Sequence, residues 1–212
     1  MSEGSVLALF DFDKTLISRD SFRLLAEMGA RSAFERWLLF VYAASAKLGW
    51  IDNRRYKTLV LYRIWRGRPA GEREELIDAH GSAMRALSID AAWMRLRAHL
   101  ENGDRVAVLS ASPEFYLVPY IASISPEVAV HGSMVLETPE ALRVENLYRE
   151  RKAARAAELI ERYEPSRVIV YTDHRDDIAL MRLADHVVLV RPQAATRQLV
   201  REAGIEFEVL AK

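Results

Sequence analysis

Val6-Leu7-Ala8-Leu9-Phe10-Asp11-Phe12-Asp13-Lys14-Thr15 opens with five apolar residues and closes on two carboxylates and a hydroxyl. A short apolar run that stops abruptly at polar residues is the pattern of a strand buried on both faces, as in a parallel sheet. Open α/β sheets gather ligands at the carboxyl ends of their strands, so Asp11, Asp13 and Thr15 stand where chemistry is done. Two carboxylates this close are costly without a cation between them. The plain alternative is a strand-end turn in which Asp13 caps a following helix.

Three more runs of this kind follow along the chain. Residues 106–109 come after Asn102-Gly103-Asp104, residues 168–171 after Pro165-Ser166, and residues 187–190 between Asp185-His186 and Pro192. Between them, residues 114–123, 150–163 and 176–184 carry apolar side chains at helical spacing. Alternation of strand and helix predicts an α/β fold with a Rossmann-like parallel sheet flanked by helices. The second run ends in Ser110-Ala111-Ser112-Pro113, and a hydroxyl with free N–H groups at a helix start suits a phosphate. The third ends in Thr172-Asp173-His174-Arg175-Asp176-Asp177, another acidic strand end. Three strand ends therefore offer carboxylates and a hydroxyl to one crevice.

Residues 20–100 contain no bounded strand-like run and are rich in Ala, Leu, Arg and Glu, which predicts an all-helical insertion. Breaks at Gly29, Gly49-Trp50, 67–71 and 81–88 suggest about four helices. The expected division is an α/β core of 1–17 plus 101–212 and a helical cap of 18–100. Residues 37–46 carry no charge, but Lys47 interrupts before Leu48-Gly49-Trp50-Ile51. That is too short for a bilayer span, so a buried core helix is the first reading and a lid touching a greasy substrate or membrane surface the second. Trp37, Trp50, Trp65 and Trp93 are expected in the core of this block, and His80, His99, His131 and His186, lacking paired ligand spacing, in structural roles. His174 and Arg175 read as surface loop or as a contact with the substrate or cap.

These motifs, in this order, resemble the haloacid dehalogenase superfamily of phosphohydrolases. Its Asp-x-Asp-x-Thr is matched by Asp11, Asp13 and Thr15, its strand-ending Ser or Thr by Ser110, and its helix-opening Lys by Lys152. Asn146-Leu147-Tyr148-Arg149-Glu150-Arg151-Lys152 is similar to the Asn-x-x-Gly-Glu-x-Lys of phosphoserine-phosphatase-like members, with Arg149 in place of glycine. Asp173 and Asp177 match the last motif, where Thr172 replaces the usual glycine and His174 a common Ser. The resemblance implies a helical cap between the first two motifs and Mg²⁺-dependent hydrolysis of phosphomonoesters through an aspartyl-phosphate. It makes Asp11 the nucleophile and Asp13 the general acid and base, with Mg²⁺ held by the Asp11 carboxylate, the Asp13 carbonyl and Asp173. Asp177 and Thr15 support that shell, Lys152 and Ser110 stabilise the phosphoryl oxygens, and Phe12 and Ala111 stand among the substrate contacts.

The 212 residues carry 30 basic and 30 acidic side chains, which argues against nucleic acid as a partner, since no net basic excess exists to release counterions. With no Cys, thiolate zinc sites, iron–sulfur clusters and a Cys nucleophile are excluded. No Gly-x-Gly-x-x-Gly, P-loop or Gly-x-Ser-x-Gly elbow occurs. The first residues lack the charged and apolar regions of a signal peptide, so a cytoplasmic location is expected. The expected partner is a small phosphorylated metabolite, ahead of a lipid-head monoester such as a phosphatidylglycerophosphate-like substrate at a membrane surface. A non-catalytic phosphate-ester-binding relative, suggested by Thr172, His174 and Arg149, is the contrasting hypothesis. Residues 16–23 are not expected to offer an acid that recognises an amino group, which makes phosphoserine itself a poor match. Oligomeric state has no sequence signature here.

Overall fold

The computed structural model describes residues 6–211. Its centre is a seven-stranded sheet in the order β4-β3-β2-β1-β5-β6-β7. The strands are β1 (Val6–Phe10), β2 (Arg105–Pro113), β3 (Ala129–Glu137), β4 (Leu142–Glu145), β5 (Arg167–Thr172), β6 (His186–Val190) and β7 (Glu208–Leu210). All neighbours run parallel except β3 and β4, which form an antiparallel edge pair. β1 lies between β2 and β5, so the ends of the three strands that carry Asp11, Ser110 and Asp173 are adjacent.

Alternate residues of each strand enter opposite layers. Leu7 and Leu9 join Val168, Val170, Val187 and Leu189 in one apolar cluster, while Ala8 and Phe10 join Val106, Val108, Tyr171 and Val188 in the other. Both faces are covered, which is why these strands are continuous apolar runs. The outer strands were not anticipated. β3 contains His131, Gly132 and Ser133 and is largely half-exposed, β4 alternates buried and exposed over four residues, and β7 is a three-residue edge. An edge needs one covered face, so its sequence lacks the run that marks a central strand.

Between β1 and β2 lie α1 (Ser21–Gly29), α2 (Ala33–Lys47), α3 (Asn53–Ile64), α4 (Ala70–Arg85) and α5 (Asp90–Glu101). Asp20, Ser32 and Asp52 cap the first three, accepting from Arg23, Glu35 and Arg55 backbone N–H groups at 2.8, 3.1 and 2.7 Å. The break expected at 81–88 is shorter than that, because α4 runs through Gly81 to Arg85; a single glycine lowers helix propensity without ending a helix whose other positions favour it. The chain leaves and re-enters the sheet layer through one point, where Ser18 N donates to Leu87 O and Ile89 N to Leu16 O. α5 then packs on β2 as an ordinary crossover helix. Leu25, Val60, Leu61, Ile64 and Met84 of the helical block share one apolar cluster with the sheet face below.

The core reading of residues 37–46 fails. Only Leu39 of α2 is buried, residues 41–46 are half-buried, and Trp37 and Phe40 stand 57% and 69% exposed, because the helix lies on the outer side of the block with Leu39 and Tyr42 turned inward. Trp50 is exposed as well, whereas Trp93 is buried and Trp65 partly so. The remaining helices are α6 (Glu114–Ala122), α7 (Glu150–Tyr163), α8 (Ile178–Met181) and α9 (Ala194–Glu202), so the helix expected at 176–184 is a short piece preceded by a 3₁₀ turn at Arg175–Asp177.

Candidate active site

Immediately past β1 the chain wraps on itself. Asp11 N still donates to Tyr171 O at 2.8 Å, and the Phe12 carbonyl then accepts from the N–H groups of Thr15, Leu16 and Ile17. This loop leaves Lys14 at a φ of 60° and turns the Asp11 carboxylate into an open cleft of about 190 Å³. Ser110, Ala111, Lys152, Asp173 and Asp177 line the same cleft, with Asp13 beside them. Phe12 differs: its ring is fully buried against Tyr120, and it does not line the cleft.

Lys152, in the first turn of α7 and 4% exposed, joins two strand ends. Its Nζ donates to Asp11 Oδ1 at 2.7 Å and to Asp177 Oδ2 at 2.8 Å, and Thr172 Oγ1 donates to the same Asp177 oxygen at 2.6 Å. Burial works against the Lys152 ammonium, but Asp11 and Asp177 outweigh it and hold its pKa above the ordinary range. Burial also pushes the Asp11 carboxyl up, against the pull of Lys152. The hydroxyl of Thr172 thus anchors Asp177, a role glycine at that position could not fill. Thr15 Oγ1 lies 3.4 Å from Asp11 Oδ2, a long contact that leaves this oxygen open to the cleft.

Asp13 is gripped by residues that no sequence motif marked. Ser21 N, at the start of α1, donates to Asp13 Oδ1 at 2.8 Å, and Ser112 Oγ donates to Asp13 Oδ2 at 2.7 Å. Asp13 thus holds the first N–H of α1, while the N-cap of that helix is Asp20. Ser21 Oγ continues the network to Ser112 Oγ at 2.8 Å and to the Tyr116 hydroxyl at 2.9 Å, and His80 Nε2 meets Ser21 O at 2.9 Å. Burial, with repulsion from Asp20, pushes the Asp13 carboxyl up to about 7, where a group can both give and take a proton near neutrality. Ser110 Oγ accepts from Ser112 N at 3.0 Å, which fixes the turn that carries both serines.

The far wall comes from the helical block. Lys57 of α3 is buried and donates to Ala111 O and, at 2.7 Å, to Asn146 Oδ1; Ser133 Oγ donates to the same two acceptors at 2.5 and 2.9 Å. Asp20, Phe22, Asn53 and Tyr56 complete that wall, with one Asp20 oxygen accepting from Arg23 N. His174 and Asp176 also line the cleft, with Tyr148 and Arg149 donating to the Asp176 carboxylate. These bonds, and that from His174 above all, pull the Asp176 carboxyl below its usual range, and the same contact raises His174. His80, His99, His131 and His186 lie outside this cleft.

The donor set can be tested for Mg²⁺. Asp173 accepts no hydrogen bond among the described residues, nor does the Asp13 carbonyl, and burial together with Asp11 pushes the Asp173 carboxyl up to about 7. Unpartnered hard oxygens whose carboxyls resist ionisation are what a small divalent cation relieves. Among the described residues no three acidic or imidazole side chains converge closely enough to hold a metal by themselves, and the Asp13 carbonyl is the further hard oxygen the cleft offers. With that oxygen included, the residues fit the ion.

The haloacid dehalogenase-like hydrolase family model matches residues 8–182. The chain belongs to that family. Among solved structures, this hydrolase is similar to a protein of unknown function from Bordetella pertussis Tohama I, with a TM-score of 0.84 at 18% identity over 97% of this chain and 98% of that one. A HAD family hydrolase from Salmonella enterica serovar Typhi superposes with a TM-score of 0.76 at 14% identity over 100% and 69% of the two chains. A substrate-bound phosphoserine phosphatase does so with 0.72 at 14% identity over 100% and 95%. At such identities the likeness is one of fold. No curated protein matches the hydrolase by sequence.

Proposed function

We propose that this hydrolase is a Mg²⁺-dependent phosphatase that cleaves small phosphomonoesters through an aspartyl-phosphate. The observation that carries the reading is the buried triad of Asp11, Lys152 and Asp177, with Asp13 beside it on the same cleft. The Asp11 carboxylate attacks phosphorus as the bond to the leaving oxygen breaks, and Asp13 gives that oxygen its proton. Asp13, now ionised, takes a proton from water as the water oxygen attacks phosphorus, and the bond from Asp11 to phosphorus breaks to return the free carboxylate. Lys152 and Ser110 hold the phosphoryl oxygens throughout. Held by Asp11, Asp173 and the Asp13 carbonyl, Mg²⁺ supplies the positive charge that lets an anionic nucleophile approach an anionic ester.

In this reading residues 18–88 serve as a cap, with α5 belonging to the core, and Lys57, Asn53, Asp20 and Tyr56 meet the part of the substrate beyond phosphate. The size of the cleft favours a small ester. A lipid-head monoester is the second reading, favoured by an apolar cleft that meets the catalytic one at Tyr56. The non-catalytic reading is opposed by the intact set of Asp11, Asp13, Lys152 and Asp173. Phosphate release from an aryl phosphate, with and without Mg²⁺, tests the proposal, and a panel of amino-acid, sugar, nucleotide and lipid-head phosphates then separates substrates. Silence across that panel in the presence of Mg²⁺ would overturn catalysis and leave a binding protein.

A further inference from the structure

Helix α2 leaves part of its apolar surface in solvent. A helix in a small bundle turns its apolar stripe inward and its charges outward, yet here Leu39 is the buried residue while Phe34, Trp37 and Phe40 are 63%, 57% and 69% exposed. Leu48 and Trp50, just past its end, are 62% and 76% exposed. On a helical period Phe34, Trp37, Ala44 and Leu48 fall within about 80° of one another, on the side opposite Leu39. Phe34 and Trp37 stack with ring centres 6.0 Å apart, so the aromatics form one surface.

The same stretch is locally basic in a chain whose charges balance. Residues 31–55 carry Arg31, Arg36, Lys47, Arg54 and Arg55 against Glu35 and Asp52, a surplus of three cations. Both acids are turned to the backbone, Glu35 accepting from Arg31 N and Asp52 from Arg55 N, each at 2.7 Å. Among the described residues no ion pair uses Arg36, Lys47, Arg54 or Arg55. Exposed Trp and Phe flanked by free Arg and Lys are the composition of a surface that sits in the headgroup region of an anionic bilayer. A second copy of the chain fits less well, because a two-fold contact sets each patch against itself and brings these cations face to face. Among the described residues no helix is long and apolar enough to cross a membrane, so contact would be from the side. The patch is also continuous with the enzyme's interior: Phe40 lines an apolar cleft of about 210 Å³, and Tyr56 lines both that cleft and the catalytic one.

We propose that the outward face of α2, with Trp50 and the basic residues around it, docks this protein onto anionic lipid surfaces. Docking stands independently of hydrolysis. The test is co-sedimentation with vesicles of phosphatidylcholine containing about one-third phosphatidylglycerol, against phosphatidylcholine alone, at low and high salt. The full chain should pellet with the anionic vesicles, less so in high salt, with tryptophan emission shifted to the blue. Trp37→Ser with Trp50→Ser should lose the interaction, and Lys47→Gln with Arg54→Gln should weaken it about 30-fold. All four side chains are exposed, so circular dichroism and aryl-phosphate hydrolysis in solution should be unchanged in both variants. Failure of the full chain to pellet, or equal pelleting by the variants, overturns the proposal. So does a dimer in sedimentation velocity that Trp37→Ser dissociates, which would give the face to a second copy. An inactive protein that still binds vesicles would sink the phosphatase reading alone, and an active one that ignores them would sink the docking alone.

Discussion

Lys57 Nζ, from the middle of α3, donates to Asn146 Oδ1 at 2.7 Å across 89 residues of chain. With its second bond to Ala111 O it ties the helical block to the sheet by one buried ammonium, at the rim of the candidate site cleft. Burial there pushes the Lys57 pKa down from 10.5 to about 8.

A depressed lysine pKa means that the unfolded chain binds more protons between the two values, so the contribution of Lys57 to stability rises with pH across that window. Below about 8 the cost of burying the charge is present in full, and it is relieved as pH approaches 10.5. Lys57→Met should remove this dependence. Urea unfolding of both proteins near neutrality and near pH 10.5 should show the difference in ΔG moving in favour of the wild type by about 2–3 kcal/mol. Parallel pH profiles would show that Lys57 titrates normally.

Asp11→Asn should abolish turnover and keep the fold, because Lys152 retains Asp177 as its partner at 2.8 Å. Phosphate release with excess Mg²⁺, together with circular dichroism, checks both halves. Residual activity above a few per cent would rule out covalent catalysis through Asp11.

Asp13→Asn should cost about 10²–10⁴-fold in kcat with a poor leaving group and less with a good one, since only the former needs its proton. Ser112→Ala, which removes the 2.7 Å bond to Asp13, should fall in the same direction by about tenfold. Equal losses for aryl and alkyl esters would rule out protonation of the leaving oxygen by Asp13 and leave it only the deprotonation of water.

Chelation should silence hydrolysis and added Mg²⁺ restore it. Asp173→Ala should raise the Mg²⁺ concentration needed, or remove activity, because it deletes a carboxylate that accepts no hydrogen bond among the described residues. Asp177→Asn should act through Lys152, raising KM more than the metal requirement. Full activity in the presence of a chelator would contradict the proposed metal set.

Arg149 sits at φ 51° and ψ −117°, a conformation that favours glycine, just before α7. Its ion pair with Asp176 is on a half-exposed side chain and offsets little. Arg149→Gly should raise the unfolding free energy by about 1 kcal/mol, as relief of strain exceeds the added entropy of the unfolded chain. A lower urea midpoint would mean that the Asp176 contact matters more than the backbone.

Asp11, Asp13, Ser110, Asp173 and Asp177 were legible as candidates in the linear chain, because each stands at or shortly past the end of an apolar run, whereas Lys152 came from the resemblance of its motif. The four central strands were equally plain, since burial on both faces demands unbroken apolar runs. Ser21 and Lys57 were not, because each acts through partners distant in sequence and no local pattern records such a partner; Asn146 stood in a motif, but its link to Lys57 did not.

From sequence alone followed the α/β alternation, the helical insertion and the ends of β1, β2 and β5 as the place for chemistry, all of which depend on local periodicity and on where apolar runs stop. Folding in three dimensions determined the rest. It set Lys152 between Asp11 and Asp177, gave Asp13 its two donors, and brought Lys57 to Asn146, since these are contacts between elements whose distance along the chain is arbitrary. It also turned α2 outward: a helix of uncharged residues is as compatible with a core as with an interface, and only the position of its neighbours decides which side meets water.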